Sequence, residues 1–279
     1  MDARIASDLA GGVVTMGVRE RMRGSRAAGA VPLLHVAVDQ GEGPVVVLLH
    51  GIASSSASWR LVVPYLSPLY RVIAIDVLGF GGSVGGAGVG FTLDEHVLAL
   101  HKTIRSLHIR GRYTIVGHSL GALIAGRYAA VHRREISHVI LASPPIYPDR
   151  RYIDELSHRL RVGGYLWFYR FVRSNKLTII NNAGRFSKWM PGGSMKIDEQ
   201  SWLAFSKSLE NCIETQTATT DVAQITVPVD IVFGSRDQVI VPATIERLGA
   251  MHHVELHEVA HTDHLIRAPL AREIARLVR

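Results

Sequence analysis

Short runs of apolar, largely β-branched residues recur along the chain: "VVVLLH" at 45–50, "RVIAID" at 71–76, "YTIVGH" at 113–118, "HVILAS" at 138–143 and "VDIVFG" at 229–234. They are nearly all apolar rather than alternating, which is how strands read when helices cover both faces of a parallel sheet. "LLHVAV" at 33–38 precedes the first of these across the turn "DQGEG". "VELHEV" at 254–259 alternates Val254 and Leu256 with Glu255 and His257 and reads as the last strand. Between the strands, "LDEHVLALHKTIRSLHI" (93–109) and "LGALIAGRYAAVHRR" (120–134) repeat apolar residues at steps of three and four, the helical period. This alternation predicts an α/β doubly wound sheet, with ligands beyond the C-terminal ends of its strands.

The rhythm stops at "SPPIYPDR" and resumes at "ITVPVDIVFG". The intervening segments, "GGYLWFYRFVRSNKL" and "SWLAFSKSLENCIE" among them, have no strand pattern. The expected organisation is therefore an N-terminal segment (1–30), an α/β core (31–145 and 221–279) and a helical insertion (146–220). The aromatic run at 165–172 suits either a pocket lining or the insertion's own core, and both readings stay open.

Composition narrows the function classes. With 279 residues, 47% of them hydrophobic, the chain can bury a large core. No apolar run approaches the roughly 18 residues of a membrane span, and Asp2, Arg4 and Asp8 interrupt any leader-like pattern, so no stable membrane insertion is expected. The net charge of +7 is spread along the chain; even the densest cluster (Arg19, Arg21, Arg23, Arg26) is interrupted by Glu20 and Gly24. It reads as a solvated face, and no nucleic-acid partner is expected. The single cysteine, Cys212, rules out an internal disulfide and fits a reducing, cytoplasmic setting; it reads as a small buried hydrophobe. Oligomeric state is not legible.

The strongest chemical signal is Gly117-His118-Ser119-Leu120-Gly121, a G-x-S-x-G placed between a buried strand and a helix. A serine on that tight turn has its hydroxyl exposed above the sheet, and the flanking glycines permit close approach of helix and strand. A serine hydroxyl needs a base, and the base needs an orienting partner. Asp237, just past the strand ending at Gly234, and a histidine beyond the last strand supply both in the order Ser, Asp, His. The glycine-rich "GFGGSVGGAGVG" at 79–90 fits no G-x-G-x-x-G register and has no P-loop lysine, so it reads as a loop. His257-Glu258-Val259-Ala260-His261 spells the H-E-x-x-H of zinc peptidases, but it lies on strand periodicity, where two imidazoles do not share a helix face. No metal and no cofactor are expected.

Together "LLHGIASSSASW" (48–59), "DVLGFGGS" (76–83), the Ser119 elbow, "GSRDQVIVP" (234–242) and "AHTDHLIRAP" (260–269) make the chain resemble an α/β-hydrolase of the cap-bearing serine esterase type, over residues 32 to 279. The resemblance implies an eight-stranded, mostly parallel sheet with a helical cap. It implies Ser119 as nucleophile, Asp237 as orienting acid and His261 as general base, with the N–H groups of Ile52 and Leu120 as oxyanion hole. Ala260 stands where the family commonly has glycine. His264 is the rival base, and the reading takes His261. His50, Gly51, Gly117 and Gly121 are expected to support the site, His50 by bracing the oxyanion loop. His118 is expected to pack or hydrogen-bond, and Asp76 to start a structural turn. The implied reaction is hydrolysis of a small, moderately apolar carboxylic ester or lactone through an acyl-enzyme. Alternatives are carbon–carbon bond hydrolysis of ring-cleavage diketones, perhydrolysis or acyl transfer and, from a different class, a ligand-binding receptor on the same fold. Ser119 in place of a carboxylate excludes, on family grounds, haloalkane dehalogenase and epoxide hydrolase chemistry.

Overall fold

A computed structural model describes residues 31–83, 85, 88–147, 164, 167, 169–182 and 198–279. The expected N-terminal segment 1–30 and parts of the insertion lie outside the described residues. The apolar runs become strands β1 (Val36–Gln40), β2 (Val45–Leu49), β3 (Arg71–Ile75), β4 (Tyr113–His118), β5 (Ile136–Ala142), β6 (Val229–Gly234) and β7 (Val254–Val259). Among the described residues the sheet has seven strands, in the order β1-β3-β2-β4-β5-β6-β7, rather than eight. The turn "DQGEG" does join β1 to β2, but the two are not neighbours: β1 pairs antiparallel with β3, and every other pairing is parallel.

Burial on both faces explains the unbroken apolar runs. In β2, Val47 and Leu49 join a core with Ile73, Ile115, Leu141 and the buried residues of the helix Leu120–Val131. Val46 and Leu48 face the other way, onto Trp59, Val72, Val116 and the helix Ala268–Leu277. The helix expected from 93 starts at a capping box, in which the Thr92 side chain accepts from the Glu95 N–H and Glu95 reaches back to the Thr92 N–H, and it runs to Ser106. It stops short of the expected 109 because His108 takes a left-handed backbone (φ 50°).

Wherever the stretch 146–220 is described it is free of strand: it holds the helices Lys176–Asn181, Trp202–Ser208 and Ala218–Ala223 and a π-helical turn Leu209–Glu214. Phe205, Leu209, Cys212 and Ile213 from it join the main core, and the Cys212 Sγ–H donates to the Phe91 carbonyl at 3.3 Å. Within the aromatic run, Tyr169 and Val172 are buried whereas Trp167 and Phe171 stack on each other in exposed positions.

At the N-terminal halves of the last strands a buried carboxylate collects three donors. Asp230 Oδ2 accepts from His138 Nε2 at 2.6 Å and from Arg279 Nη2 at 3.1 Å, and Oδ1 accepts from His257 Nε2 at 2.8 Å. Burial pushes this carboxyl up, but the donors outweigh burial and hold it down at about 2. A folded-state value below the unfolded 3.8 stabilises the fold above about pH 4, and that contribution is lost as pH falls through about 2. In urea titrations, the stability gap between the wild type and Asp230→Asn is expected to shrink by about 2 kcal/mol from pH 5 to pH 2. A gap unchanged with pH would refute the linkage.

Candidate active site

The register aligns strand ends along one rim: Leu49 pairs with Gly117, His118 with Ala142, and Gly234 with Val259. Ser119 sits where β4 turns into the helix Leu120–Val131, at φ 53° and ψ −119°, a backbone that non-glycine residues rarely adopt. The turn is tight enough that a Cβ on Gly117 would stand 2.1 Å from the Gly121 carbonyl oxygen, and one on Gly121 would stand 2.2 Å from that of Leu49.

The loop after β2 passes directly beside the serine: a Cβ on Gly51 would lie 3.0 Å from that of Ser119. His50 shapes this loop. Its Nδ1–H donates to the Gly51 carbonyl at 2.7 Å, and its Nε2 accepts from the Val77 N–H at 2.9 Å. Complete burial, only partly offset by Gly51 and Asp76, lowers the ring to about 4 and keeps it neutral. Asp76 is a structural hub: it accepts from the Ser56 and Gly82 N–H groups at 2.7 and 2.8 Å and from His35 at 3.0 Å. Ile52 lines the cavity that contains Ser119, and Leu120 begins a helix, so its N–H is one of the first-turn donors without an intrahelical acceptor.

Beyond β6, Asp237 occupies a turn fixed by its own N–H to the Gly234 carbonyl at 3.0 Å and by the Val239 N–H to its Oδ1 at 2.9 Å. The imidazole against it belongs to His264, not His261. His264 Nδ1 lies 3.0 and 2.9 Å from the two Asp237 oxygens, and both side chains are buried. Burial raises the Asp237 carboxyl, but the adjacent His264 and its hydrogen bonds prevail and hold it below the usual carboxylate value. With Nδ1 donating, the lone pair resides on Nε2. His264 and Ser119 line the same cavity, of about 340 Å³.

The pairing with Asp237 expected of His261 is thus corrected. His261 is exposed, has a left-handed backbone (φ 57°), donates its N–H to Ser235 Oγ at 2.9 Å and accepts from Arg236 Nη2 at 3.1 Å. The cause is the path of the loop after β7. The Arg236 N–H holds the Thr262 carbonyl at 2.9 Å, and Gly234 packs so close to Thr262 that a Cβ there would meet its carbonyl oxygen at 2.1 Å. The chain therefore crosses the end of β6 at residue 262 and delivers His264, two residues further on, over Asp237. His118 fixes the arrival, donating from Nε2 to the His264 carbonyl at 2.8 Å; burial first, and then the neighbouring His264, lower His118 to about 3.

Tyr169, from the aromatic run, also lines this cavity, together with Leu209, Ile213, Val239, Ser54, Ser58 and Arg60, none of which carries a signal in the sequence. For Tyr169 the open question of the aromatic run is answered by one side chain that both packs and lines.

The H-E-x-x-H does not converge: His257 lies on β7 and bonds Asp230, whereas His261 bonds Arg236. Two other groups, His101 with His132 and Glu135, and Asp230 with Glu255 and His257, have ligand-type atoms within 4.8 Å of one another. Neither includes a residue of the Ser119 cavity, and the Asp230 oxygens already carry imidazole and guanidinium donors. Among the described residues, no helix is long and apolar enough to cross a membrane.

A serine at a strand–helix elbow on the rim of a mostly parallel sheet, with an Asp–His pair from later strand ends in its cavity, defines a hydrolase of α/β architecture. The chain belongs to the alpha/beta hydrolase family, whose model matches residues 46–278. Among curated proteins it is similar to 2-hydroxy-6-oxo-6-(2'-aminophenyl)hexa-2,4-dienoic acid hydrolase of Metapseudomonas resinovorans, with 34% identity over 107 residues, 37% of each chain. It is also similar to the probable lysophospholipase BODYGUARD 3 of Arabidopsis thaliana, with 40% identity over 107 residues, 37% of this chain and 22% of that one. The matched part is thus well under half of either relative. A thermophilic esterase from Thermogutta terrifontis shares the fold, with a TM-score of 0.68 and 19% identity across 87% of this chain and 91% of that one.

Proposed function

We propose that this chain is a serine hydrolase that cleaves a carboxylic ester or lactone of a small, moderately apolar molecule. One observation carries the reading: His264 Nδ1 is held by both oxygens of Asp237 in the cavity that also contains Ser119 on its left-handed turn. The Ser119 Oγ attacks the substrate carbonyl as its proton passes to His264 Nε2, and Asp237 steadies the imidazolium so formed. The carbonyl π electrons move onto oxygen, where the Ile52 and Leu120 N–H groups receive the charge; one such donor contributes about 3–4 kcal/mol to the transition state. Collapse breaks the ester C–O bond and expels the alcohol, which takes the proton from His264. Water, deprotonated by the same imidazole, then releases the acid and restores Ser119. The helical stretch 146–220 acts as a cap in this reading, since Tyr169, Leu209 and Ile213 supply the apolar wall over the serine. The lone, buried Cys212 suits a cytoplasmic location.

The name of the Metapseudomonas relative, a dienoic acid hydrolase, favours a second reading in which the same triad hydrolyses a carbon–carbon bond in a ring-cleavage diketone. A fluorophosphonate probe is expected to label the wild type and not Ser119→Ala, and a panel of short esters, long esters, lactones and ring-cleavage diketones should show the highest kcat/KM on an ester or lactone. Labelling that persists in Ser119→Ala defeats the serine mechanism. Labelling with turnover of the diketones alone selects the second reading.

A further inference from the structure

We propose that His118, between Gly117 and Ser119 in the elbow, is a positioning residue for His264: it pins the main chain of the base, so that the imidazole is held toward the nucleophile. Resting on the serine hydrolase reading, this adds to the site a group that acts through another residue. His118 closes β4, where it pairs with Ala142 of β5, so its backbone belongs to the sheet and not to a loop. Its buried ring reaches a residue 146 positions further on, donating from Nε2 to the His264 carbonyl at 2.8 Å. Donors mounted on sheet are placed more rigidly than donors on loops.

Aiming an imidazole takes two contacts. Asp237 holds His264 Nδ1 at 3.0 and 2.9 Å, but a ring held at one nitrogen still swings the other as its own backbone moves. The loop that carries His264 restrains itself only locally. The Leu265 N–H donates to Asp263 Oδ1 at 3.1 Å, and the Arg267 N–H to the Leu265 carbonyl at 2.8 Å. The Arg236 N–H anchors Thr262, and beyond that point the bond from His118 is what ties the His264 main chain to the sheet among the described residues.

Burial disfavours a histidine here unless its ring is bonded, whereas an aliphatic side chain would fill the space without that demand. A carbonyl only accepts, so His118 Nε2 carries the proton. Burial first, and then His264, lowers the ring to about 3, so it stays neutral. A neutral donor suits the position. The two rings are 5.0 Å apart, and a charged one would oppose the imidazolium that His264 becomes. On its other side the ring backs onto the loop after β2, where a Cβ on Gly51 would stand 3.2 Å from His118 Nδ1 and 3.0 Å from that of Ser119. The side chain that braces the base therefore also abuts the loop of Ile52, beside the nucleophile.

The test uses His118→Leu, His118→Asn and His118→Gln. Leucine has no donor, an asparagine amide is too short to reach the His264 carbonyl, and a glutamine amide can place its N–H near the lost Nε2. Leucine and asparagine should each lower kcat for an ester about 10- to 100-fold with KM within about threefold, as expected for misaligned groups. Glutamine should recover most of that loss, and rates of fluorophosphonate labelling should follow the same order. Asparagine keeps the comparison open if the leucine variant does not fold. A readout without substrate is the downfield proton resonance of the His264 Nδ1–H shared with Asp237. It should persist in His118→Gln and broaden through exchange with water in the other two. All three variants within about threefold of the wild type, with that resonance unchanged, overturn the proposal. So does an equal loss in His118→Gln and His118→Leu at equal urea midpoints, which makes His118 a packing residue alone. Failure of the serine mechanism shows separately, as absent labelling of the wild type, and the proton resonance then still decides the positioning.

Discussion

Replacing His264 by alanine lowers kcat/KM for an ester by about 10⁴-fold or more, whereas His261→Ala stays within about threefold of the wild type. The first figure follows from removing the base of a unit whose members act together, which leaves only the oxyanion donors and substrate binding. The second follows from position, because His261 is exposed and bonded to Arg236 and Ser235, so its loss disturbs a surface contact. Steady-state kinetics on the two variants, with far-UV circular dichroism to confirm folding, decides the assignment. A large loss in His261→Ala with His264→Ala nearly unaffected would return the base to His261. Asp237→Asn is the companion variant: an amide in place of the carboxylate favours the wrong imidazole tautomer, and the rate should fall by a comparable factor.

The second large effect is on folding. A Cβ on Gly117 or Gly121 would press within 2.1 or 2.2 Å of a backbone oxygen, and neither the strand nor the helix can give way without breaking the elbow. Gly117→Ala and Gly121→Ala are each expected to cost more than about 3 kcal/mol, and the proteins are recovered as aggregates where that exceeds the reserve of the fold. Gly126, one and a half turns further along the same helix, is the internal control. A Cβ there meets nothing within 4 Å, so Gly126→Ala should stabilise by about 0.5–1 kcal/mol, the helix-propensity gain. Urea denaturation midpoints of the three variants test the contrast. Similar destabilisation at all three positions would mean that the close approach is not what the glycines provide.

Much of this architecture is legible in the chain because hydrophobic burial writes it there. Strands such as Val45–Leu49, covered on both faces, have no room for polar residues, and the elbow glycines mark the one place where helix and strand backbones touch. The histidine that pairs with Asp237 was not legible because the pairing depends on loop geometry. Which of two histidines three residues apart meets Asp237 is set by where Thr262 crosses β6, a contact between main-chain atoms that leaves almost no trace in residue type. Gly234 was the available signal, since a glycine closing an otherwise apolar strand marks a close backbone approach. The eighth strand came from the resemblance alone, and among the described residues no pattern of residues stands behind it. Pocket walls such as Tyr169 and Arg60 belong to segments distant in sequence, and only the folded chain brings them together.

The left-handed backbone at Ser119 has a thermodynamic corollary. An L-residue held at φ 53° sits roughly 1–3 kcal/mol above a relaxed conformation, and the resting protein carries that deficit permanently. A glycine would occupy the same corner with little penalty, so the side chain at this position is kept against the interest of the fold. On the serine hydrolase reading, stability is traded here for readiness, and a more robust version of the molecule would be an inert one.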